Sequence, residues 1–348
     1  MTFHLSRPAV ATAAAAILLA ACSFSPSPSG SPRADESFAA DGDLVVYSGR
    51  TEELVGPIID RFSEETGIEV AVRYGDTAEM ANLILTEGEN SPADVYFAQD
   101  AGALGAVAGE GMLATLPDDL LGQVDERFRS PDGQWIGLSG RSRVVVYNTD
   151  NVDAADLPDT IFGFTDPVWA GRIGWAPTNG SFQSFVTALR VLEGEDRARE
   201  WLEGIQANEP NVYEGNNPAL EAVIAGEIDV AFINHYYLMQ RLAEDPDVPA
   251  ANYFVPDGGP GALVNVAGVG ILETADQADA AERLIAFLLS DEAQAYFAEE
   301  TKEYPLATGV APDPELPPLG DLATPDIDLS DLSDLDGTLE LLQDVGIL

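Results

Sequence analysis

The chain has 348 residues and carries 60 acidic side chains against 16 basic ones, a net charge of −44 at pH 7. A surface so negative repels nucleic acid and anionic membranes, and no concentrated basic patch interrupts it, so neither is expected as a partner. One cysteine and two histidines leave no room for a disulfide framework, a thiolate metal cluster or a three-histidine zinc site.

The acids are spread along the whole chain, which reads as solubility or salt adaptation rather than a device for collecting cations. Arg7 precedes an uncharged, Ala- and Leu-rich run over residues 8–21, which ends in Leu19-Ala20-Ala21-Cys22. The run is too short for an ordinary membrane span, and the small residues before the cysteine suit a processing protease. Residues 1–21 are therefore read as a signal peptide and Cys22 as the lipidation site of a bacterial lipoprotein; a free surface thiol is the plainer alternative. Residues 22–42, rich in Ser, Pro and Ala, follow as a flexible tether. The mature protein is expected outside the cytoplasm, reaching the membrane only through its lipid.

About 300 residues remain, enough for two lobes. Short apolar runs alternate with helical stretches from Leu44 on, the pattern of an α/β fold with largely parallel sheets. Strands are predicted over residues 44–47, 68–73 and 93–97. Helices are predicted over 51–65, from Asp76 with Glu79 as a capping box, and from Asp100. Residues 135–147 are long for one strand and are predicted to cross between lobes. A second lobe over 148–261 has strands near 172–175, 211–213, 228–233 and 252–255, with helices from about Phe182, Asp196, Pro218 and Tyr236. Residues 262–272 form the return crossing and 275–300 read as helical. The acidic, Pro-rich tail over 312–336 precedes a short docking helix. The expected fold is a two-lobed α/β binding protein with a hinge and an interlobe cleft: lobe 1 is 43–147 with 262–348, and lobe 2 is 148–261.

Several chemistries are absent. There is no G-x-S-x-G elbow, and His235 is the sole histidine after signal removal. No phosphate-binding loop precedes the only lysine, Lys302, and Leu332 stands where a calcium loop around Gly337 needs its first acidic ligand.

Three junctions in the second lobe carry small polar residues instead: Thr178-Asn179-Gly180-Ser181, Asn216-Asn217-Pro218, and Asn234-His235-Tyr236-Tyr237. Free amides at such helix starts, with glycine allowing close approach, suit an anion. Plain N-capping by Asn and Ser explains each junction singly as well. Tyr236 and Tyr237 add phenol oxygens, hard anionic ligands for which a highly charged cation such as Fe³⁺ can displace the proton. Adjacent residues on a helix start are expected to point in different directions, and paired aromatics are more often packing.

The segments VVYSGR (45–50), SPADVYFAQDAG (91–102), GLSGRSRVVVYN (137–148), WAPTNGSF (175–182), INHYYL (233–238) and EYPLATGV (303–310) resemble those of the ferric-iron-binding receptors of bacterial ABC importers. That family has a type 2, transferrin-like periplasmic-binding-protein fold. The Asn-x-Tyr-Tyr element is the specific one; the others mark the wider family.

The resemblance implies a receptor rather than an enzyme, monomeric, with Fe³⁺ as cargo and the permease and ATPase subunits of an importer as partners. It implies that Tyr236 and Tyr237 coordinate the metal, and that Asn179, Gly180, Ser181, Asn216 and Asn234 hold a synergistic anion, carbonate or phosphate. The first lobe departs from the family pattern: Thr51 stands where some members have a histidine and Gln99 where they have a glutamate. Iron would then be held mainly by the second lobe, with Arg50 or Arg141 balancing an anion and His235 a neighbour rather than a ligand. The competing readings are a receptor for thiamine, a polyamine or a phosphorylated compound, and, in another class, a surface hydrolase.

Overall fold

A computed structural model describes residues 42–348. The expected signal peptide, Cys22 and the tether up to residue 41 lie outside these described residues.

Strand and helix alternate from the start: β1 (Leu44–Ser48), α1 (Glu52–Thr66), β2 (Val70–Tyr74), α2 (Thr77–Glu87), β3 (Val95–Ala98) and α3 (Ala101–Gly109). All five residues of β1 are buried, as befits a parallel strand covered on both faces. Helix α1 stops at Gly67, which takes the left-handed conformation at φ 72° and donates its amide to the Ser63 carbonyl, a glycine stop read directly from chemistry. Asp76 occupies the N-cap of α2, but its carboxylate makes no capping bond; it is exposed, so water can solvate it, and the expected capping box is not formed.

After the one-turn α4 (Asp118–Leu121), the chain enters the 13-residue β4 (Ile136–Asn148). Next come β5 (Ile173–Trp175), α5 (Gly180–Glu193), α6 (Glu195–Ala207), β6 (Asn211–Val212), α7 (Asn216–Ile224), β7 (Val230–Asn234), α8 (His235–Glu244) and β8 (Ala250–Tyr253). The last part holds β9 (Val264–Ile271), α9 (Ala278–Leu288), α10 (Asp291–Glu299), β10 (Tyr304–Pro305) and α11 (Leu335–Asp344). The helical stretch predicted over 275–300 is thus two helices, broken where the Ser290 hydroxyl accepts the Ala293 amide at 3.3 Å and caps α10.

The strands run in the order β2-β1-β3-β9-β4-β7-β5-β6, with β8 and β10 also on β4. Strand β4 changes partners along its length. Residues up to Ser142 pair antiparallel with β9, and Gly140 and Ser139 also pair with β10. From Arg143 onward the pairing is with β7, joined by β8 from Val145. The strand therefore passes from one set of neighbours to another between residues 142 and 143.

The tail touches both sets. A 3-10 turn, Leu329–Ser333, lies over α3, where Gly102 and Gly105 are close enough to the backbone of Leu332 and Ser330 that any side chain there would collide. Helix α11, grouped by sequence with the first lobe, packs elsewhere: Leu341 and Leu342 join a core with Phe164, Trp201 and Phe232. Thr338 also shares a buried 2.7 Å hydrogen bond with Thr187 of α5. The apolar face of α11 is covered by this core, and burial rather than chain order decides its place.

One buried carboxylate joins distant parts of the first set. Arg50 donates to both oxygens of Glu303 at 3.1 and 3.2 Å, and the Ser139 hydroxyl donates at 2.5 Å. Both partners of the ion pair are 1% exposed. Burial pushes the Glu303 carboxyl up, but the Arg50 and Arg141 guanidiniums and these hydrogen bonds outweigh it and hold the group below the ordinary glutamate range. Its contribution to stability is therefore complete above pH 4.5, the ordinary value, and is lost as the pH falls through the lower folded value. Glu303→Gln is expected to destabilise the metal-free protein by about 3–5 kcal/mol at neutral pH, because it leaves a buried guanidinium unbalanced. In urea titrations that deficit should shrink as the pH is taken below 4.5.

Candidate functional site

The three polar junctions come together. Strands β5 and β7 run parallel, so the helices that follow them start at the same end of the sheet, where ligands of such folds collect. Asn179 caps α5, and its side-chain oxygen accepts from the Ser181 amide at 3.0 Å, the Ser181 hydroxyl at 2.6 Å and the Asn216 amide group at 3.2 Å. Asn216 also donates to the Ser181 hydroxyl at 3.2 Å. N-capping alone explains the first of these bonds but not the link between α5 and α7.

Arg143 completes the group. It faces Asn234 across the β4–β7 register, donates to the Phe232 carbonyl at 2.6 Å and reaches Ser181 Oγ at 3.3 Å and Asn234 Oδ1 at 3.5 Å. The rings of Phe185 and Phe182 lie 5.4 and 5.8 Å from its charge. Burial pulls its guanidinium down to about 9, opposed by the Tyr237 and Tyr236 phenols, which leaves it protonated at neutral pH. No carboxylate is among its hydrogen-bond partners, and its Nε has no partner among the described residues. A buried cation in this state has an electrostatic demand for an anion. The sequence reading passed over Arg143, although Arg141 and Arg143 are two apart on a strand and so share a face.

Tyr236 and Tyr237 do not diverge as expected. Their rings stack with centroids 4.2 Å apart and planes at 28°. Long side chains on a helix lean toward its N-terminus, and in the first turn of α8 no earlier turn occupies that space, so both rings fold the same way. Burial, followed by the neighbouring Tyr237, pushes the Tyr236 phenol well above its ordinary pKa, while Arg141 acts against the rise. His235 is fully buried, and burial lowers its imidazole to about 4.

These residues border a cleft of about 670 Å³ lined by Arg141, Arg143, Asn179, Gly180, Ser181, Asn234 and Tyr237 on one side, and by Asp76, Thr77, Gln99 and Asp100 on the other. Tyr236 and Asn216 sit behind this lining. Of the other candidates, Gln99 and Arg141 line the cleft, and Arg50 and Thr51 are not among the lining residues. Arg50 is taken up by Glu303 and cannot serve an anion in the cleft; Thr51 occupies the N-cap of α1 without a side-chain capping bond and is exposed. Asp76, Thr77 and Asp100 were missed, though each stands at a strand-to-helix junction of the same kind as those in the second lobe. Among the described residues no group of three or more His, Cys, Asp or Glu could hold a metal.

Residues 57–324 match the family described as bacterial extracellular solute-binding proteins. Among curated proteins, the chain is 32% identical over 317 residues to the Fe(3+)-binding periplasmic protein of Serratia marcescens, covering 90% of this chain and 93% of that one. It is 34% identical over 310 residues to the major ferric iron-binding protein of Neisseria meningitidis serogroup B, covering 88% and 93%. Among solved structures, iron-bound HitA from Pseudomonas aeruginosa superposes with a TM-score of 0.81 at 35% identity, over 87% of this chain and 99% of that one. The cleft between two sets of strands, the junctions that border it and these likenesses along most of the chain agree: the protein belongs to the bacterial extracellular solute-binding family and has its two-lobed fold.

Proposed function

We propose that this protein captures ferric iron outside the cytoplasm through the phenolate oxygens of Tyr236 and Tyr237, with a synergistic anion, and delivers it to the permease and ATPase subunits of an ABC importer. The observation that carries this reading is the convergence of a stacked tyrosine pair with an anion-demanding guanidinium, Arg143, at one end of the cleft. Fe³⁺ with two phenolates keeps one positive charge, and Arg143 adds another. A carbonate or phosphate held by Arg143 and by Asn179, Gly180, Ser181, Asn216 and Asn234 would neutralise both. The hard cation and its oxygen donors are matched in type. The relatives named for ferric iron support the assignment.

The first lobe offers neither histidine nor glutamate at Thr51 and Gln99, so the anion and water fill the coordination positions left by the tyrosines. We assign residues 43–147 and 262–334 to one moving body, and 148–261 with α11 to the other, because α11 packs into the second core. The protein acts as a monomeric receptor, not as a catalyst, and Cys22 carries the lipid that tethers it.

Tyr236→Phe and Tyr237→Phe keep the ring and remove only the hydroxyl, so each should weaken ferric binding at least about tenfold, the scale of one strong ligand contact. The double change should abolish the visible tyrosinate–iron band, and binding by the parent should weaken as pH falls, because protons compete for phenolate. A double variant that takes up iron with an unchanged spectrum would sink the assignment. Arg143→Met should remove the dependence of iron binding on added carbonate or phosphate while the phenolate band persists; full anion dependence in that variant would place the anion elsewhere. Cys22→Ser should move the protein from the membrane to the soluble fraction, as loss of a lipid anchor requires.

A further inference from the structure

The edge of β4 holds an irregularity with a specific occupant. Tyr304 pairs with Gly140 and Pro305 with Ser139; continuing that antiparallel register by two residues sets Lys302 opposite Ser142. From the other side, β7 pairs Asn234 with Arg143, and the next residue along, His235, also falls opposite Ser142. Two strands thus run toward the same place on β4. The backbone rung between Ser142 and Lys302 is replaced by the imidazole of His235. The Ser142 amide donates to Nδ1 at 3.1 Å, and Nε2 donates to the Lys302 carbonyl at 3.0 Å.

The contact is reinforced on both sides. Gln240, from the second turn of α8, donates to the Thr301 carbonyl at 3.2 Å, so two side chains of one helix hold two successive carbonyls. Lys302 adopts the left-handed backbone conformation, φ 60°, which is uncommon for a residue with a side chain. The Tyr304 ring lies 4.8 Å from the imidazole, and Asn252 donates to the His235 carbonyl at 2.9 Å. The segment 301–303 belongs with the first set of strands through β10 and through Glu303, whereas α8 follows β7 in the second. His235 is therefore the point where the helix that starts with Tyr236 and Tyr237 is registered against both.

We propose that His235 is a positioning residue for iron capture: its imidazole substitutes for a missing rung of the sheet and sets where the tyrosine pair stands relative to the hinge strand and the first lobe. This rests on the reading of Tyr236 and Tyr237 as ligands. An ordinary core histidine would supply only volume, and that alternative is separable because a glutamine at 235 changes the shape but keeps one acceptor and one donor able to span Ser142 and Lys302.

The test compares His235→Phe and His235→Gln with the parent full-length protein, titrated with ferric citrate and followed by the visible band, by release to a competing chelator, and by the near-ultraviolet circular dichroism of the metal-free protein. His235→Phe should bind about tenfold or more weakly and release iron correspondingly faster, the scale of two lost buried hydrogen bonds. Its band at saturation should be unchanged, and the tyrosine dichroism altered. His235→Gln should recover most of both losses. Parent-like affinity and release in His235→Phe, or no rescue by glutamine, would overturn the positioning role. If the parent itself shows no band, the ligand assignment fails, while the dichroism still reports whether His235 orients the pair. Should His235→Phe not fold, Gln240→Ala carries the test. It removes only the adjacent Thr301 contact and should speed release several-fold, on the scale of one hydrogen bond; unchanged release would overturn the proposal.

Discussion

Strand β4 has to satisfy backbone groups on both its edges over 13 residues while serving two sets of neighbours. A buried strand cannot leave amides or carbonyls unpaired without a penalty comparable to a lost hydrogen bond for each. The place where one set ends and the other begins is therefore a structural problem, and the side chains around residues 139–143 answer it. Ser139 is tied to Glu303, the Ser142 amide to an imidazole, and Arg143 to a carbonyl of β7. The alternation of small, polar and basic residues in GLSGRSRVVVYN follows from that requirement as much as from any ligand.

The same short stretch organises charge. Three arginines are almost fully buried near the crossing, and they are treated differently. Arg50 is neutralised by Glu303 in a buried, doubly hydrogen-bonded pair. Arg141 feels the same carboxylate and also the Tyr236 phenol. Arg143 has carbonyl, hydroxyl and amide oxygens and aromatic faces around it, but no carboxylate partner among the described residues. Partial charges of that kind stabilise a guanidinium incompletely, so the positive potential remains directed at the cleft. On the proposed reading this lets an anion and a trivalent cation occupy one small volume without net charge being stranded in it.

The opposite wall of the cleft is built with different chemistry. Thr77 there is committed to structure: its hydroxyl donates to the Gly49 carbonyl and accepts the Gln99 amide, both at 3.1 Å. The side chain of Gln99 and the carboxylates of Asp76 and Asp100 are what that wall presents. The tail adds Leu332, Ser333, Asp334 and Asp336 at the border of the cleft, held by α3 on one side and by Arg190 of α5 on the other, where Arg190 donates to Asp334 at 2.8 Å. This gives the two sets of elements a connection in addition to the crossing through β4.

Much of this was legible in the residues. The apolar runs and their spacing located the parallel strands and the long strand β4, because strand burial leaves a continuous apolar signature that needs no partner to be recognised. The polar junctions were visible because helix starts demand particular residue types. The Asn-x-Tyr-Tyr element carried the family resemblance. Other features depended on groups far apart in the chain meeting in space. Arg50 was indistinguishable by sequence from Arg143, and a partner 253 residues away, Glu303, separates the neutralised one from the one with no carboxylate among its hydrogen-bond partners. The stacking of Tyr236 on Tyr237 contradicts a rule valid inside helices, because the rings sit at an end where space is open. Helix α11 was recognisable as a helix, but its docking on α5 was not, since an amphipathic face specifies that it must be covered and not by what. Local periodicity and capping are written in neighbouring residues and so are readable from sequence; the pairing of buried charges and the choice of packing partner are properties of the closed chain, and only the tertiary structure decided them.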